Sequence, residues 1–201
     1  MRATIVLLLL AACQFSFAQT DTNFIAAGEW SAYVTNHVWP LRGRLLVYDA
    51  EKHTGNIGSY GRIYLELQNG QELVEPLEFY FDSHMSCLQF EMRDGRDQNI
   101  APSSYGHFGF VPSPCIMTLR CRSTIRVQVD FNNNYDRRKM DGLLLETPDG
   151  RTWIIRPDAT NDYYLSATFT PTNYPSALHY HVWQGTLQLP KVKIPIEKIK
   201  K

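Results

Sequence analysis

Apolar and polar residues alternate with period two in many short windows of this chain. That is the pattern a half-buried strand imposes, because successive side chains point to opposite faces. Ile63, Leu65 and Leu67 alternate with Tyr64, Glu66 and Gln68, and Asn69-Gly70 follows as a turn. Leu77, Phe79 and Phe81 alternate with Glu78 and Tyr80. Leu88, Phe90 and Met92 alternate with Gln89 and Glu91 and end at Asp94-Gly95. Ile125, Val127, Val129 and Phe131 alternate with Arg126, Gln128 and Asp130. Leu143 and Leu145 lead into Pro148-Asp149-Gly150, a hairpin turn signal, and Thr152 to Arg156 follows with Trp153 and Ile155 on one face. Tyr163, Leu165, Ala167 and Phe169 predict another strand. Trp183, Leu187 and Leu189 begin the last, which is expected to continue past Pro190 through Val192 and Ile194. The best helical window, Ala26 to Val38, is interrupted by Gly28 and ends at Pro40, so no helix is predicted.

About eight or nine short strands at this spacing predict an all-β fold, an antiparallel β-sandwich, with a β-barrel as the alternative. The expected core is Leu65, Leu67, Phe79, Phe90, Val127, Val129, Trp153, Leu165 and Leu187, in a domain from Leu41 to Ile194. Residues 19–40 form an N-terminal segment ahead of it, and residues 195–201 a basic tail.

The N-terminus follows a different pattern. Arg2 supplies a positive start, Ile5 to Leu10 an apolar run, and Ser16-Phe17-Ala18 the small residues that a signal peptidase reads. Residues 1–18 are therefore expected to be a cleaved secretory signal. The protein would then be secreted or extracytoplasmic, in the periplasm or cell envelope if bacterial. The apolar run is too short to span a bilayer comfortably, and no later stretch predicts a transmembrane segment. Leu10-Ala11-Ala12-Cys13 also fits a lipobox, in which Cys13 is acylated and tethers the protein to a membrane. Cleavage after Ala18 is the preferred reading, and a membrane tether is expected only if Cys13 is lipidated.

Composition narrows the partners. The chain has 201 residues with 20 Lys+Arg and 20 Asp+Glu. A chain this neutral has no global field to gather phosphates, which argues against nucleic acid. Hydrophobic residues at 44% support a folded core. Without Cys13, an odd set of cysteines remains: Cys87, Cys115 and Cys121. If the segment from Cys115 to Cys121 is extended, their Cα atoms lie about 20 Å apart, beyond disulfide reach. A pair with Cys87 and three small buried hydrophobes both remain open.

The pair Leu65-Glu66-Leu67-Gln68-Asn69 and Pro76-Leu77-Glu78-Phe79 resembles strands of bacterial exported immunoglobulin-like domains. So does Trp30 followed by Leu41-Arg42-Gly43-Arg44-Leu45. Asp162-Tyr163-Tyr164-Leu165-Ser166-Ala167 is similar to the tyrosine-corner region of such sandwiches, and Trp183-Gln184-Gly185-Thr186-Leu187 to their closing strand. The Cys…Trp…Cys pattern of antibody domains is missing. The resemblance implies an immunoglobulin-like sandwich that serves in adhesion, scaffolding or ligand binding rather than catalysis.

Motifs that carry chemistry are few. The sequence holds no G-x-S-x-G, H-E-x-x-H, P-loop, C-x-x-C or dinucleotide glycine fingerprint. His179 and His181 would share a strand face and suit a metal, with His84 or His107 completing the set. The connection from Asp94 to Pro114 is long and turn-rich, and it carries Tyr105-Gly106-His107-Phe108-Gly109-Phe110. Tyr105 and His107 are its candidate ligand-binding residues, while Phe108 and Phe110 are expected to cap the sandwich. Asp130, Asn132, Asn134 and Asp136 at alternate positions, with Asp141 at a twelfth position, form a candidate calcium loop. Tyr135 stands where such a loop wants Gly, and Arg137 to Lys139 bring opposing charge. The C-terminal lysines suit either a frayed tail or an electrostatic tether. The sequence thus predicts an exported, non-catalytic binding or interaction module for a protein or carbohydrate ligand. A secreted hydrolase with loop-borne site residues is the alternative.

Overall fold

The period-two windows become antiparallel ladders. The computed structural model describes residues 24–36, 39–48, 62–72, 76–82, 87–105, 114–129, 143–147, 149–155, 162–171 and 182–194. Their strands are β1 (Phe24–Ala27), β2 (Val34–Asn36), β3 (Trp39–Tyr48), β4 (Arg62–Asn69) and β5 (Leu77–Asp82). They continue with β6 (Leu88–Asp94), β7 (Asn99–Ile100), β8 (Ser104–Tyr105), β9 (Pro114–Leu119) and β10 (Thr124–Gln128). The last four are β11 (Leu143–Glu146), β12 (Arg151–Ile155), β13 (Tyr163–Phe169) and β14 (Leu187–Ile194). No helix occurs among the described residues.

One sheet runs β1-β3-β4-β10, with β2 also paired to β3. A second runs β14-β13-β6-β7, a third β11-β12-β8, and β5 pairs with β9. None closes on itself, so the barrel is set aside and the arrangement is consistent with a β-sandwich. The first sheet includes strands upstream of Leu41, since Phe24–Ala27, Val34–Asn36 and Trp39 all pair within it. The described part of the connection after Asp94, up to Tyr105, carries two short strands that its turn-rich sequence did not suggest. Met92 and Arg93 pair with β7, and β8 pairs with Arg151 and Thr152.

Burial follows the alternation. Leu65, Leu67, Phe79, Phe90, Val129, Trp153, Leu165 and Leu187 are buried in one cluster, as expected. Val127 departs from expectation: it is only half-buried against that cluster, because β10 ends the sheet on its side among the described residues. The first two sheets meet face to face at Gly43. A Cβ there would stand 2.8 Å from Leu189 Cδ2 and 2.9 Å from Leu67 Cδ2, so a side chain at this position would separate β3 from β14. Trp183 anchors one end. Its ring stacks on Phe169 at 6.3 Å, its backbone N–H donates to the Glu78 carbonyl at 2.7 Å, and its Nε1 donates to the Val34 carbonyl at 3.3 Å.

The β11–β12 hairpin turns where its sequence asks it to, with Gly150 at φ 81°. Asp149 in that turn accepts the Phe90 N–H at 3.0 Å, and Arg151 Nη1 donates to the Phe90 carbonyl. These two side chains satisfy backbone groups of β6 beyond the end of β7, which ties the third sheet to the second. β14 continues past Pro190 as expected. Its register against β13 shifts between Leu165 and Ala167, and that irregularity accommodates a proline inside a strand.

Candidate functional site

Core-facing residues of β3 and β4 are Leu41, Gly43, Leu45, Ile63, Leu65 and Leu67, so strand alternation sends Arg42, Arg44, Glu66 and Gln68 to the opposite face. The register aligns these residues into cross-strand rows. Arg42 lies opposite Gln68, which lies opposite Thr124, and Arg44 lies opposite Glu66, which lies opposite Arg126. In the first row Arg42 Nε donates to Gln68 Oε1 at 2.7 Å, and the Tyr33 hydroxyl donates to the same oxygen at 3.3 Å. In the second, Arg44 Nε donates to Glu66 Oε2 at 2.5 Å and Arg126 Nε to Glu66 Oε1 at 2.6 Å. Glu66 is only 2% exposed, whereas the arginines are 25% and 35% exposed. The buried carboxylate is thus held at both oxygens, as a buried charge requires.

Aromatic rings join this face from the connection between β1 and β2. That connection continues along β3. Gly28 N–H donates to the Leu45 carbonyl at 2.8 Å, Ser31 N–H donates to the Gly43 carbonyl at 2.9 Å, and Gly43 N–H donates to Ser31 Oγ at 3.0 Å. Held this way, Trp30 meets both arginines of β3: Arg42 Cζ lies 4.7 Å and Arg44 Cζ 4.4 Å from its ring centroid. Arg42 Cζ also lies 4.7 Å from the Tyr33 ring. Tyr33 fits because Gly70 lacks a side chain, since a Cβ there would stand 2.5 Å from Tyr33 Cε1. The result is a ladder of contacts through Tyr33, Arg42, Trp30 and Arg44, which runs on through Glu66 to Arg126.

Such contacts engage the face of a guanidinium and do not use its in-plane N–H groups. Each is worth about 0.5–1 kcal/mol at an exposed position. Arg42 and Arg44 spend Nε on their sheet partners, and the remaining edge of each fork has the geometry that grips a carboxylate in bidentate fashion. Arg42 bonds a neutral amide, and Glu66 shares its single charge between two guanidiniums. The face therefore carries a positive charge at Arg42 that its sheet partner does not answer, with Tyr33 44% exposed beside it.

The residues singled out from sequence fall elsewhere. Tyr105 sits in β8, opposite Arg151, in a different sheet from this ladder. Residues 1–23 (which include Cys13), His84, His107, Phe108, Phe110, Asp130, Asn132, Asn134, Asp136, Asp141, His179, His181 and residues 195–201 lie outside the described residues. Among the described residues, no group of three or more His, Cys, Asp or Glu is placed to hold a metal ion. Nor does any helix there have the length and apolarity to cross a membrane. Cys121 donates its thiol to the Gln71 carbonyl at 2.8 Å, and β9 is extended from Cys115 as the spacing argument assumed. The ladder itself escaped sequence reading. Its one local signal is Arg42-Gly43-Arg44, two cations at alternate positions of a strand, with Trp30 and Tyr33 shortly before it. No family model, curated protein or solved structure matches the chain.

Proposed function

We propose that this chain is an exported, non-catalytic binding module, and that its ligand surface is the outer face of the β1-β3-β4-β10 sheet. The observation that carries this reading is the ladder of Tyr33, Arg42, Trp30 and Arg44, which fixes two guanidinium edges and an exposed ring on one flat face. Side chains already ordered in the free protein lose little entropy on binding, so a preformed face of this kind favours recognition. The immunoglobulin-like sandwiches that the sequence resembles serve the same class of role, and the signal-like N-terminus supports an extracytoplasmic location.

The test is an array of peptides and glycans of both charge signs, probed with the wild-type chain and with a Tyr33→Ala, Arg42→Ala double variant. The wild type is expected to retain anionic ligands, and the double variant to lose them while melting within a few degrees of wild type. Retention of the same ligands by the double variant would move the ligand surface elsewhere, with the segment of Tyr105 and His107 as the next place to look.

A further inference from the structure

The spacing of the ladder says more than its charge. Arg42 and Arg44 are two residues apart on one strand, so their side chains leave the sheet about 7 Å apart. Alternate residues of any other extended chain repeat at the same distance, because the same backbone geometry sets it. An extended segment with acidic residues at positions i and i+2 therefore presents two carboxylates in step with the two guanidiniums. Trp30 contacts both arginines, and Gln68 and Glu66 hold each Nε from the neighbouring strand. We infer that the ligand of this face is an extended acidic peptide segment of a partner protein, with Asp or Glu at alternate positions, each carboxylate gripped by one arginine fork. This inference rests on the ladder being the ligand surface.

Charge favours the same partner. Arg42 donates to a neutral amide rather than to a carboxylate, so an incoming carboxylate completes its pairing. Arginine is the apt residue here. Its planar fork stacks on a ring and still binds a carboxylate at its edge, which the point charge of lysine cannot do.

The experiment uses fluorescence anisotropy with the mature chain and three labelled probes. The first is a peptide with Glu at alternate positions. The second has the same composition with its glutamates in adjacent pairs, and the third is a polyuronate glycan of similar charge. The alternating peptide is expected to bind at least about tenfold more tightly than the paired one, because only it reaches both forks. Arg42→Lys is expected to weaken it by about tenfold while keeping the charge, and added salt to weaken it further. Equal affinity for the two peptides would overturn the register argument. Binding of the glycan alone, lost in Arg42→Lys, would overturn the peptide assignment and leave the ligand surface in place. Binding of any probe that ignores Arg42→Lys, or no binding of any probe, would overturn both.

Discussion

Replacing Glu66 with Gln tests the network beneath the ladder. In the wild type, both carboxylate oxygens accept charge-assisted hydrogen bonds from Arg44 and Arg126, worth about 1.5–3 kcal/mol each. The amide keeps one acceptor and turns an NH2 donor toward the other guanidinium, so one bond is lost and a donor meets a donor. Two effects soften that loss. The arginines are 25% and 35% exposed and turn partly to water, and a neutral side chain escapes the desolvation a buried carboxylate suffers. The balance leaves about 2 kcal/mol of destabilisation, which for a domain of this size is about 4–8 °C in melting temperature. Urea unfolding followed by tryptophan fluorescence reads it as a lower midpoint at unchanged slope. The same exchange in an Arg44→Met background is expected to cost clearly less, since the pair is already broken. A Glu66→Gln chain within about 0.5 kcal/mol of wild type, the range of ordinary surface substitutions, would refute the reasoning.

Two further outcomes follow from burial and charge. Leu65→Ala, at a fully buried position, is expected to cost about 3 kcal/mol, and Val127→Ala, half-buried and smaller, about 1 kcal/mol; denaturant midpoints that reverse the order would contradict the packing described. The Lys193 ammonium is held above its usual pKa by its hydrogen bond to Asp162, with desolvation acting the other way and the Asp162 charge adding to the rise. A raised folded pKa adds stability that is fully present below the unfolded lysine value and fades as pH rises through the folded one. The melting difference between wild type and Lys193→Met is therefore expected to be small and positive at neutral pH, since the pair is exposed, and to vanish under strongly alkaline conditions.

Strands whose apolar and polar residues alternate without a break were legible from sequence. β4, β6 and β13 are of that kind. β3 hid its pattern. Leu46 is buried on the outward-facing side, so Leu45-Leu46-Val47 reads as a continuous apolar run. β9 inverts it, with Ile116 46% exposed while Leu119 is buried. The ladder was illegible for a different reason. Arg44 and Arg126 are 22 and 60 residues from Glu66 in sequence, and only the register of three strands brings them together. Sequence spacing carries no trace of such a meeting. It does carry the turn at Asp149-Gly150, where a local backbone demand and a local residue choice coincide.

β14 is the last strand of its ladder among the described residues, and strand edges are where other chains add themselves by hydrogen bonding. Pro190 sits in the middle of that strand and has no N–H to offer. The register irregularity opposite Ser166 interrupts the ladder there, and Lys191 and Lys193 beside it are paired with Asp97 and Asp162. A strand laid against this stretch in parallel or antiparallel fashion meets a missing donor and an irregular register side by side. The proline that first looks like a flaw in a good strand thus leaves an added strand no unbroken row of donors to pair with at that point.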